Sequence, residues 1–277
     1  MANRVVVVTG ASSGIGRACA AELAGRGFHV LAGVRRLQDG ADVRLVAAGR
    51  VEPVLLDVTD SAAIDALTTE VGPSLFALVN NAGLSEPGPV EHLPMDAVRR
   101  QFEVMVIAPF ALTRALLPAL RTGGGRIVNI GSIGGRVALP FLAPYTAAKA
   151  ALAGFTDALR AELRPIGIEV SLVEPGSVAT PIWDKGQTAG QRLLDSLPAD
   201  GEHHYGDRMR RLSAAARRSA QRGIPPVRVA AAVVHAVTAD HPRTRYIVGI
   251  DAHVQASLRR LLPDRALDAV MARLAGL

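Results

Sequence analysis

A glycine-rich segment near the N-terminus constrains the fold more than any other feature. Residues 5–8 (Val-Val-Val-Val) form a fully apolar run typical of a buried strand, and residues 9–16 (Thr-Gly-Ala-Ser-Ser-Gly-Ile-Gly) follow directly. Small and apolar residues then recur at helical spacing over 15–26. Glycines between a strand and a helix permit a tight turn and let backbone N–H groups approach a phosphate. The segment therefore predicts a nucleotide site within an α/β fold.

The same alternation of strand and helix continues along the chain. Apolar runs predict strands at 29–34, 54–57, 75–80, 126–130, 169–174 and 245–248, and periodic patterns predict helices at 62–71, 96–120 and 145–165, with further helical residues around 258–274. Strands that are apolar throughout, rather than alternating, indicate a parallel sheet covered on both faces. We predict a doubly wound, Rossmann-like α/β fold that binds ligands at the carboxyl ends of its strands.

Composition indicates one large globular domain. The chain has 277 residues, of which 49% are hydrophobic and 20% charged, so it can bury a sizeable core. No internal repeat or linker divides it. The helical pattern weakens over about 180–224, a polar and arginine-rich stretch, which we interpret as a substrate lid inserted before a C-terminal strand and helices at 225–277.

The charge pattern argues against nucleic acid as a partner. The 31 Lys and Arg and 25 Asp and Glu give a net charge of +6, and arginines cluster over 208–222. No aromatic residues interleave these arginines as stacking platforms, which favours a solvated face or a lid over an anionic cofactor. His203 and His204 are adjacent, so their rings diverge, and no Cys or carboxylate spacing supports a metal site.

Other features indicate a cytoplasmic protein. The lone cysteine, Cys19, fits a reducing compartment. The first ten residues lack the apolar run and cleavage site of a secretory signal. The most apolar stretch, 105–120, contains Arg114, and we expect it to be too short to span a bilayer.

Tyr145 and Lys149 are the leading candidates for acid–base chemistry. They are four residues apart, so on a helix they project from one face. An ammonium group beside a phenol stabilises the phenolate and lowers its pKa. With an oxidised nicotinamide adding positive charge, Tyr145 is expected to exchange a proton with a substrate oxygen near operating pH.

Arg35 and Arg36 predict which dinucleotide is bound. They stand at the end of the second predicted strand, where an acidic residue would bind an adenosine ribose and favour NAD. A guanidinium suits a phosphate, and a charge-assisted hydrogen bond contributes about 1.5 to 3 kcal/mol. We predict NADP(H); the alternative is that Arg35 only stacks on the adenine or faces water.

The motifs together resemble those of the short-chain dehydrogenase/reductase family over about residues 4–180. The matching motifs are Thr-Gly-x-x-x-Gly-Ile-Gly at 9–16, Asp57-Val58, Asn80-Asn81-Ala82-Gly83, Tyr145-x-x-x-Lys149 and Pro175-Gly176. The resemblance implies that Ser132 hydrogen-bonds the substrate oxygen, that Tyr145 is the general acid or base, and that Lys149 also binds the nicotinamide ribose. It implies that Ser12 and Arg35 hold the 2′-phosphate.

The resemblance also implies a wider cofactor-binding set. Asp57 is expected to contact the adenine amino group, and Val178 and Thr180 the nicotinamide carboxamide. The whole set is Gly10, Ser12, Ser13, Gly14, Ile15, Gly16, Arg35, Arg36, Asp57, Val58, Asn80, Ala82, Gly83, Tyr145, Lys149, Pro175, Gly176, Val178 and Thr180.

Met105 departs from the family pattern, which ordinarily has asparagine there. The usual asparagine holds a water that links the lysine to solvent, and a thioether cannot donate a hydrogen bond. Three interpretations stay open. The relay is rerouted, the protein is an impaired enzyme that traps its ligands, or the site serves a reaction with less proton traffic, such as imine reduction or a non-redox step.

Apolar residues around the predicted site indicate the substrate class. The expected substrate-binding residues are Ser132, Leu139, Phe141, Ile182 and Trp183, which suit a hydrophobic ketone or secondary alcohol. The segment 181–184 (Pro-Ile-Trp-Asp) resembles the hydroxysteroid and retinol dehydrogenase branch; packing of the lid is an equally good reading of these side chains.

The leading hypothesis is an NADP(H)-dependent ketone reductase or alcohol dehydrogenase. A relay-impaired dinucleotide-binding protein and a non-redox cyclase or isomerase are the alternatives, because fold alone does not separate them. In similar proteins the two long helices form a contact between subunits, so a homodimer or homotetramer is expected.

Overall fold

The computed structural model describes residues 4–40 and 49–277. Within them, seven strands form one parallel sheet in the order β3-β2-β1-β4-β5-β6-β7. The strands are β1 (Val5–Val8), β2 (His29–Val34), β3 (Val51–Leu55), β4 (Ala77–Asn80), β5 (Arg126–Ile130), β6 (Glu169–Pro175) and β7 (Arg245–Val248). The order reverses between β1 and β4, where such a sheet binds ligands at its carboxyl edge. The predicted doubly wound fold is confirmed.

Helices cover both faces of the sheet. They are α1 (Gly14–Gly25), α2 (Ser61–Val71), α3 (Met95–Phe102), α4 (Ala108–Gly123), α5 (Ala143–Leu163), α6 (Ile182–Asp195), α7 (Asp207–Arg222), α8 (Pro226–Thr238), α9 (Ile250–Leu261) and α10 (Asp264–Leu274). Successive residues of β1 serve opposite faces. Val6 and Val8 pack in the cluster of α1 and α8, whereas Val7 packs in the cluster of α2, α4 and α5.

The predicted helix at 96–120 is longer than expected and interrupted. It runs from Met95 to Gly123, 29 residues, with a π turn at Glu103–Ile107 between α3 and α4. The N–H of Ala108 donates to the Glu103 carbonyl at this turn, and the next residue, Pro109, has no N–H for the carbonyl of Met105. The expectation that this stretch is too short to span a bilayer was wrong by length. Leu112, Leu116 and Leu120 are nevertheless buried in the sheet's core, as in a core helix of a globular fold.

The region 180–224, where the sequence pattern weakened, is also helical. It contains α6, a short helical turn at Ala199–Gly201, a π turn at Glu202–Gly206 and α7. These helices bury few residues, chiefly Gly186, Met209 and Ala215, and they are mostly polar, so few apolar residues marked them in the sequence. The chain returns where Ile224 pairs with the backbone of Ser177 and Ala179.

Candidate active site

The glycine-rich segment forms a tight turn, called the cradle here, between β1 and α1. Gly10 has φ +62°, and a Cβ at Gly16 would lie 2.3 Å from the carbonyl oxygen of Gly10, so neither position accepts a side chain without strain. Ser13 begins α1 without capping it through its side chain, and the first turn holds no acidic residue. The N–H groups of this turn therefore remain suited to an anionic ligand, and the residues present fit a dinucleotide pyrophosphate.

Asn81 braces this cradle, a role that sequence reasoning missed. Its Nδ2 donates to the carbonyl oxygens of Thr9 (2.8 Å) and Gly10 (3.2 Å). Thr9 Oγ1 in turn accepts from the backbone N–H groups of Asn81 and Ala82, both at 2.9 Å. The segment after β4 thus holds the phosphate loop in place. The doubled asparagine at 80–81 was the available signal, but it did not distinguish the two side chains.

Asn80 faces the interior rather than the crevice. Its side chain is buried, and its Nδ2 donates to Asn129 Oδ1 at 2.8 Å. Asn129 Nδ2 donates to Thr156 Oγ1 at 2.9 Å, so the three residues tie β4, β5 and α5 together beneath the site. The side chain of Asn80 therefore supports the sheet, while Ala82 and Gly83 lie nearer the surface.

The two arginines after β2 have different surroundings. Arg36 makes a bidentate contact with Asp39, at 3.1 Å and 2.9 Å. Arg35 is exposed and close enough to Asp57 for its charge to act on that carboxylate. The pKa of Asp57 is held below its usual range first by the backbone N–H of Thr59, then by the Thr59 hydroxyl and by Arg35. Arg35 and Asp57 therefore share the predicted adenosine end of the crevice.

Ser132 and Tyr145 meet at the end of β5. Ser132 caps a single 3₁₀ turn, Ile133–Gly135, and its Oγ accepts from Gly134 N at 3.0 Å. A Cβ at Gly134 would lie 3.3 Å from both Ser132 Oγ and Tyr145 Cε1, so the two side chains border the same space. Burial raises the pKa of Tyr145 above its ordinary value, and the nearby Ser132 hydroxyl acts in the opposite direction. Burial is the larger effect on this pKa. The expected lowering by Lys149 together with an oxidised nicotinamide stays a prediction.

Lys149 lies deep in the same site. Its side chain is 5% exposed, its Nζ is 6.0 Å from the centre of the Tyr145 ring, and Nζ donates to the Ile130 carbonyl at 2.7 Å. Burial lowers the pKa of Lys149 to about 8. A Cβ at Gly83 would lie 3.9 Å from Lys149 Nζ and 3.8 Å from Met105 Sδ. Gly83, Lys149 and the fully buried Met105 thus border one small space.

The segment after β6 closes the other end of the crevice. Gly176 N donates to the Val248 carbonyl at 2.9 Å, and Ser177 N donates to Asp251 Oδ2 at 2.6 Å. Thr180 contacts the phosphate loop, since its Cγ2 would lie 3.0 Å from a Cβ at Gly14. Of the residues predicted in this segment, Thr180 is thus placed against the phosphate loop, whereas Gly176 is held to the end of β7.

The predicted substrate residues divide into two groups. Leu139 packs against the C-terminal helices, and Trp183 donates from Nε1 to the Val178 carbonyl at 2.8 Å, which fixes the base of the lid. Phe141 has φ 65° and is buried under the lid. Its ring meets Tyr205 edge-on at 6.3 Å, and the guanidinium carbon of Arg208 lies 5.3 Å from its centre.

Tyr205 fastens the lid over this segment, which sequence reasoning did not anticipate. Its hydroxyl donates to Glu91 Oε2 at 2.8 Å, and its ring meets His92 edge-on at 5.7 Å. α6 packs on the segment after β4 through Gly186, near Ser85, and through Gly190, near Pro87. The lid therefore lies against the strand ends rather than away from them.

This fold and this side-chain set define a dinucleotide-binding oxidoreductase of the short-chain type. A family model described as short chain dehydrogenase matches residues 4–190. The chain belongs to the short-chain dehydrogenase/reductase family.

Several relatives match nearly the whole chain. It is 34% identical to an NADPH-dependent 3-dehydrocapnine reductase of Ornithobacterium rhinotracheale, covering 96% of this chain and 95% of the relative. It is 36% identical to retinol dehydrogenase 5 of Mus musculus, covering 96% and 87%. A crystal structure of a short chain dehydrogenase from Burkholderia cenocepacia J2315 in complex with NADP matches with TM-score 0.74 and 30% identity, covering 98% and 97%.

Proposed function

We propose that this protein is an NADP(H)-dependent oxidoreductase that acts on a hydrophobic ketone or secondary alcohol. The main support is that Ser132, Tyr145 and Lys149 lie together at the carboxyl edge of the sheet, the edge that also carries the cradle. A relative named as an NADPH-dependent reductase and a solved neighbour in complex with NADP support the cofactor class.

The cofactor would lie along the crevice from Arg35 to Thr180. The cradle at 9–16 would hold the pyrophosphate, and Arg35 with Ser12 would hold the 2′-phosphate. When bound, the nicotinamide supplies or accepts a hydride. The chain's own residues then have two tasks, which are to orient the substrate oxygen and to move one proton.

Ser132 and Tyr145 perform the first task. Because Gly134 N already donates to Ser132 Oγ, the Ser132 hydroxyl proton is directed away from that N–H and is available to an acceptor. A substrate carbonyl oxygen placed between Ser132 and Tyr145 would accept from both hydroxyls.

Tyr145 and Lys149 perform the second task. In reduction, Tyr145 donates its phenolic proton to the substrate oxygen, and in oxidation it accepts that proton. Lys149 stabilises the phenolate through its positive charge and its low pKa makes it able to return a proton. Apolar side chains at the lid, such as the buried Phe141, suit an apolar substrate.

Met105 is expected to slow the return of a proton to Lys149 and Tyr145 rather than to abolish catalysis. The thioether borders the space beside Lys149 but offers no donor. We therefore propose a working enzyme whose proton relay is weaker than with an asparagine at this position.

We also propose that the protein assembles as a homodimer or homotetramer. Ile107 and Phe110 are about half exposed on the outer face of the α3–α4 run, and Phe110 contacts Phe155 of α5 at 5.5 Å between ring centres. A second copy of this face would bury these side chains. Size-exclusion chromatography with light scattering tests this assembly, and a monomeric mass would contradict it.

Two experiments test the function. Thermal unfolding with NADPH or NADH should show greater stabilisation by NADPH. Equal stabilisation by both would contradict the cofactor preference inferred from Arg35. A panel of apolar ketones, read by loss of NADPH absorbance, should contain a substrate. Tight NADPH binding with no turnover on ketones or imines would favour the dinucleotide-binding or non-redox alternatives.

A further inference from the structure

Five charged side chains form a continuous set of ion pairs behind the Ser132 turn. Arg136 makes a bidentate contact with Glu174, and Arg245 also contacts Glu174, at 3.2 Å. Arg245 then pairs with Asp157, which pairs with Arg160 at 2.8 Å. We call this set the charge chain. It joins the Ser132 turn, β6, β7 and α5, which are the elements that carry or flank the proposed catalytic groups.

Glu174 is the unusual member of the charge chain. Its carboxylate is 1% exposed, whereas the arginines and Asp157 are 26% to 39% exposed. A buried carboxylate is costly unless it is fully paired, and here both oxygens have guanidinium partners. The planar fork of Arg136 makes the contact directional as well as attractive.

The ion pair between Arg136 and Glu174 lies at the end of the 3₁₀ turn that Ser132 begins. Arg136 follows the 3₁₀ turn that Ser132 begins, and its backbone N–H donates to the Ile133 carbonyl at 2.8 Å. Gly135, inside the turn, lies so close to α5 that a Cβ there would be 2.9 Å from the carbonyl carbon of Lys149. The turn is therefore held at one end by Glu174 and pressed against the backbone of Lys149.

We propose that Arg136 and Glu174 are positioning residues that set the Ser132 hydroxyl against Tyr145. The inference rests on the proposed function, since it assigns the charge chain a role in the reaction. Neither residue touches the reacting groups. They act through the turn, and Glu174, which directly precedes Pro175, also ties this turn to the segment at the nicotinamide end of the crevice.

The alternative is that the charge chain only stabilises the fold, and a paired substitution separates the two roles. Replacing a buried ion pair by apolar side chains of similar volume often leaves stability unchanged, whereas removing one partner does not. A structural role thus predicts that Arg136→Met with Glu174→Met recovers both thermal stability and turnover. A positioning role predicts that it recovers stability but not turnover.

The experiment compares four variants of the full-length protein with NADPH and a ketone substrate. Arg136→Met is expected to lower both Tm and kcat. The double variant is expected to regain most of the Tm while kcat stays about tenfold or more below that of the parent protein, because small misplacements of reacting groups are costly. Arg136→Lys keeps the charge but not the fork, and it should retain Tm and lose kcat. Arg99→Met, which breaks an exposed pair with Asp96, should change neither.

The outcomes decide between the two roles. Parental kcat in the double variant or in Arg136→Lys would overturn the proposal. The KM for NADPH should change less than twofold, since the cradle is untouched. A raised KM for NADPH with unchanged kcat would also overturn the proposal. If either variant fails to fold, the other decides.

Failure of the proposed function is distinguishable from failure of this inference. If the parent protein turns over no substrate, the proposed function fails. Crystal structures of the double variant and of Arg136→Lys then test the positioning itself. Displacement of Ser132 Oγ relative to the Tyr145 side chain in either would support it, and an unchanged placement of the two side chains in both would overturn it.

Discussion

The Lys149 ammonium donates a 2.7 Å hydrogen bond to the backbone carbonyl of Ile130, the last residue of β5. The lysine of α5 is thereby attached to the strand that leads into Ser132, two residues later. This contact holds a charge in a site that is 5% exposed for that side chain. The protein therefore keeps a desolvated ammonium beside its proposed acid.

This arrangement has a cost that depends on pH. The pKa of Lys149 is lowered from 10.5 to about 8 in the folded protein, so the unfolded chain binds more protons between these values. Stability must then rise with pH across this window, and the cost is fully present below about pH 8. A difference of this size corresponds to at most about 3 kcal/mol.

Lys149→Met should therefore stabilise the ligand-free protein more near pH 7 than near pH 10, because it removes the desolvation cost. Urea unfolding of the variant and the parent at both pH values measures the difference in unfolding free energy. Lys185→Met, at an exposed position on α6, is the matched control and should show no such dependence. The same stabilisation by Lys149→Met at both pH values would contradict the lowered pKa.

Arg35 and Arg36 should differ in cofactor selection although they are neighbours. Arg35→Ala is expected to raise the Kd for NADPH about ten- to hundredfold, the equivalent of one charge-assisted contact, and to leave the Kd for NADH unchanged. Arg36→Ala should have a smaller effect, since Arg36 is already paired with Asp39. Fluorescence titration of each variant with both nucleotides measures the change. Equal losses for NADPH and NADH would show that Arg35 does not bind the 2′-phosphate.

Asn81→Ala should weaken the binding of NADPH and NADH by the same factor. The substitution leaves the Thr9 and Gly10 carbonyls without their donor, at a cost of about 1 to 3 kcal/mol in unfolding free energy. Because the cradle would hold the pyrophosphate common to both cofactors, the ratio of the two Kd values should stay constant. A change in that ratio would indicate that Asn81 acts on the adenosine end instead.

Met105→Asn tests the proposed slow relay. An amide at this position should raise kcat, whereas Met105→Leu, an apolar replacement of similar volume, should leave kcat unchanged and alter stability by less than about 1.5 kcal/mol. Steady-state kinetics with a ketone substrate measures both. Unchanged turnover in Met105→Asn, with the fold intact, would exclude residue 105 as a limit on proton return.

The parts of the fold that the sequence predicted are those governed by local patterns. Apolar runs located β1, β2 and β5 closely, and the glycines between β1 and α1 predicted the cradle. The spacing of Tyr145 and Lys149 predicted that they share one face of a helix, which α5 confirms. These features depend on neighbours within a few residues.

The missed features depend on distant partners. Glu174 and Arg136 are 38 residues apart in sequence, and Arg245 and Asp157 are 88 apart. No local sequence pattern therefore predicts the charge chain. The choice between Asn80 and Asn81 depends on which side chain the strand end turns toward the core.

The most direct test compares the turnover of an apolar ketone by the parent protein and by Tyr145→Phe. Turnover is measured as the loss of NADPH absorbance. The parent protein is predicted to oxidise NADPH, and Tyr145→Phe to do so about 10²-fold or more slowly, because it lacks the acidic proton. NADPH binding by the variant should be nearly unchanged. Equal turnover by both proteins, or NADPH binding without turnover of any ketone by the parent, would contradict the assignment of Tyr145 as the acid.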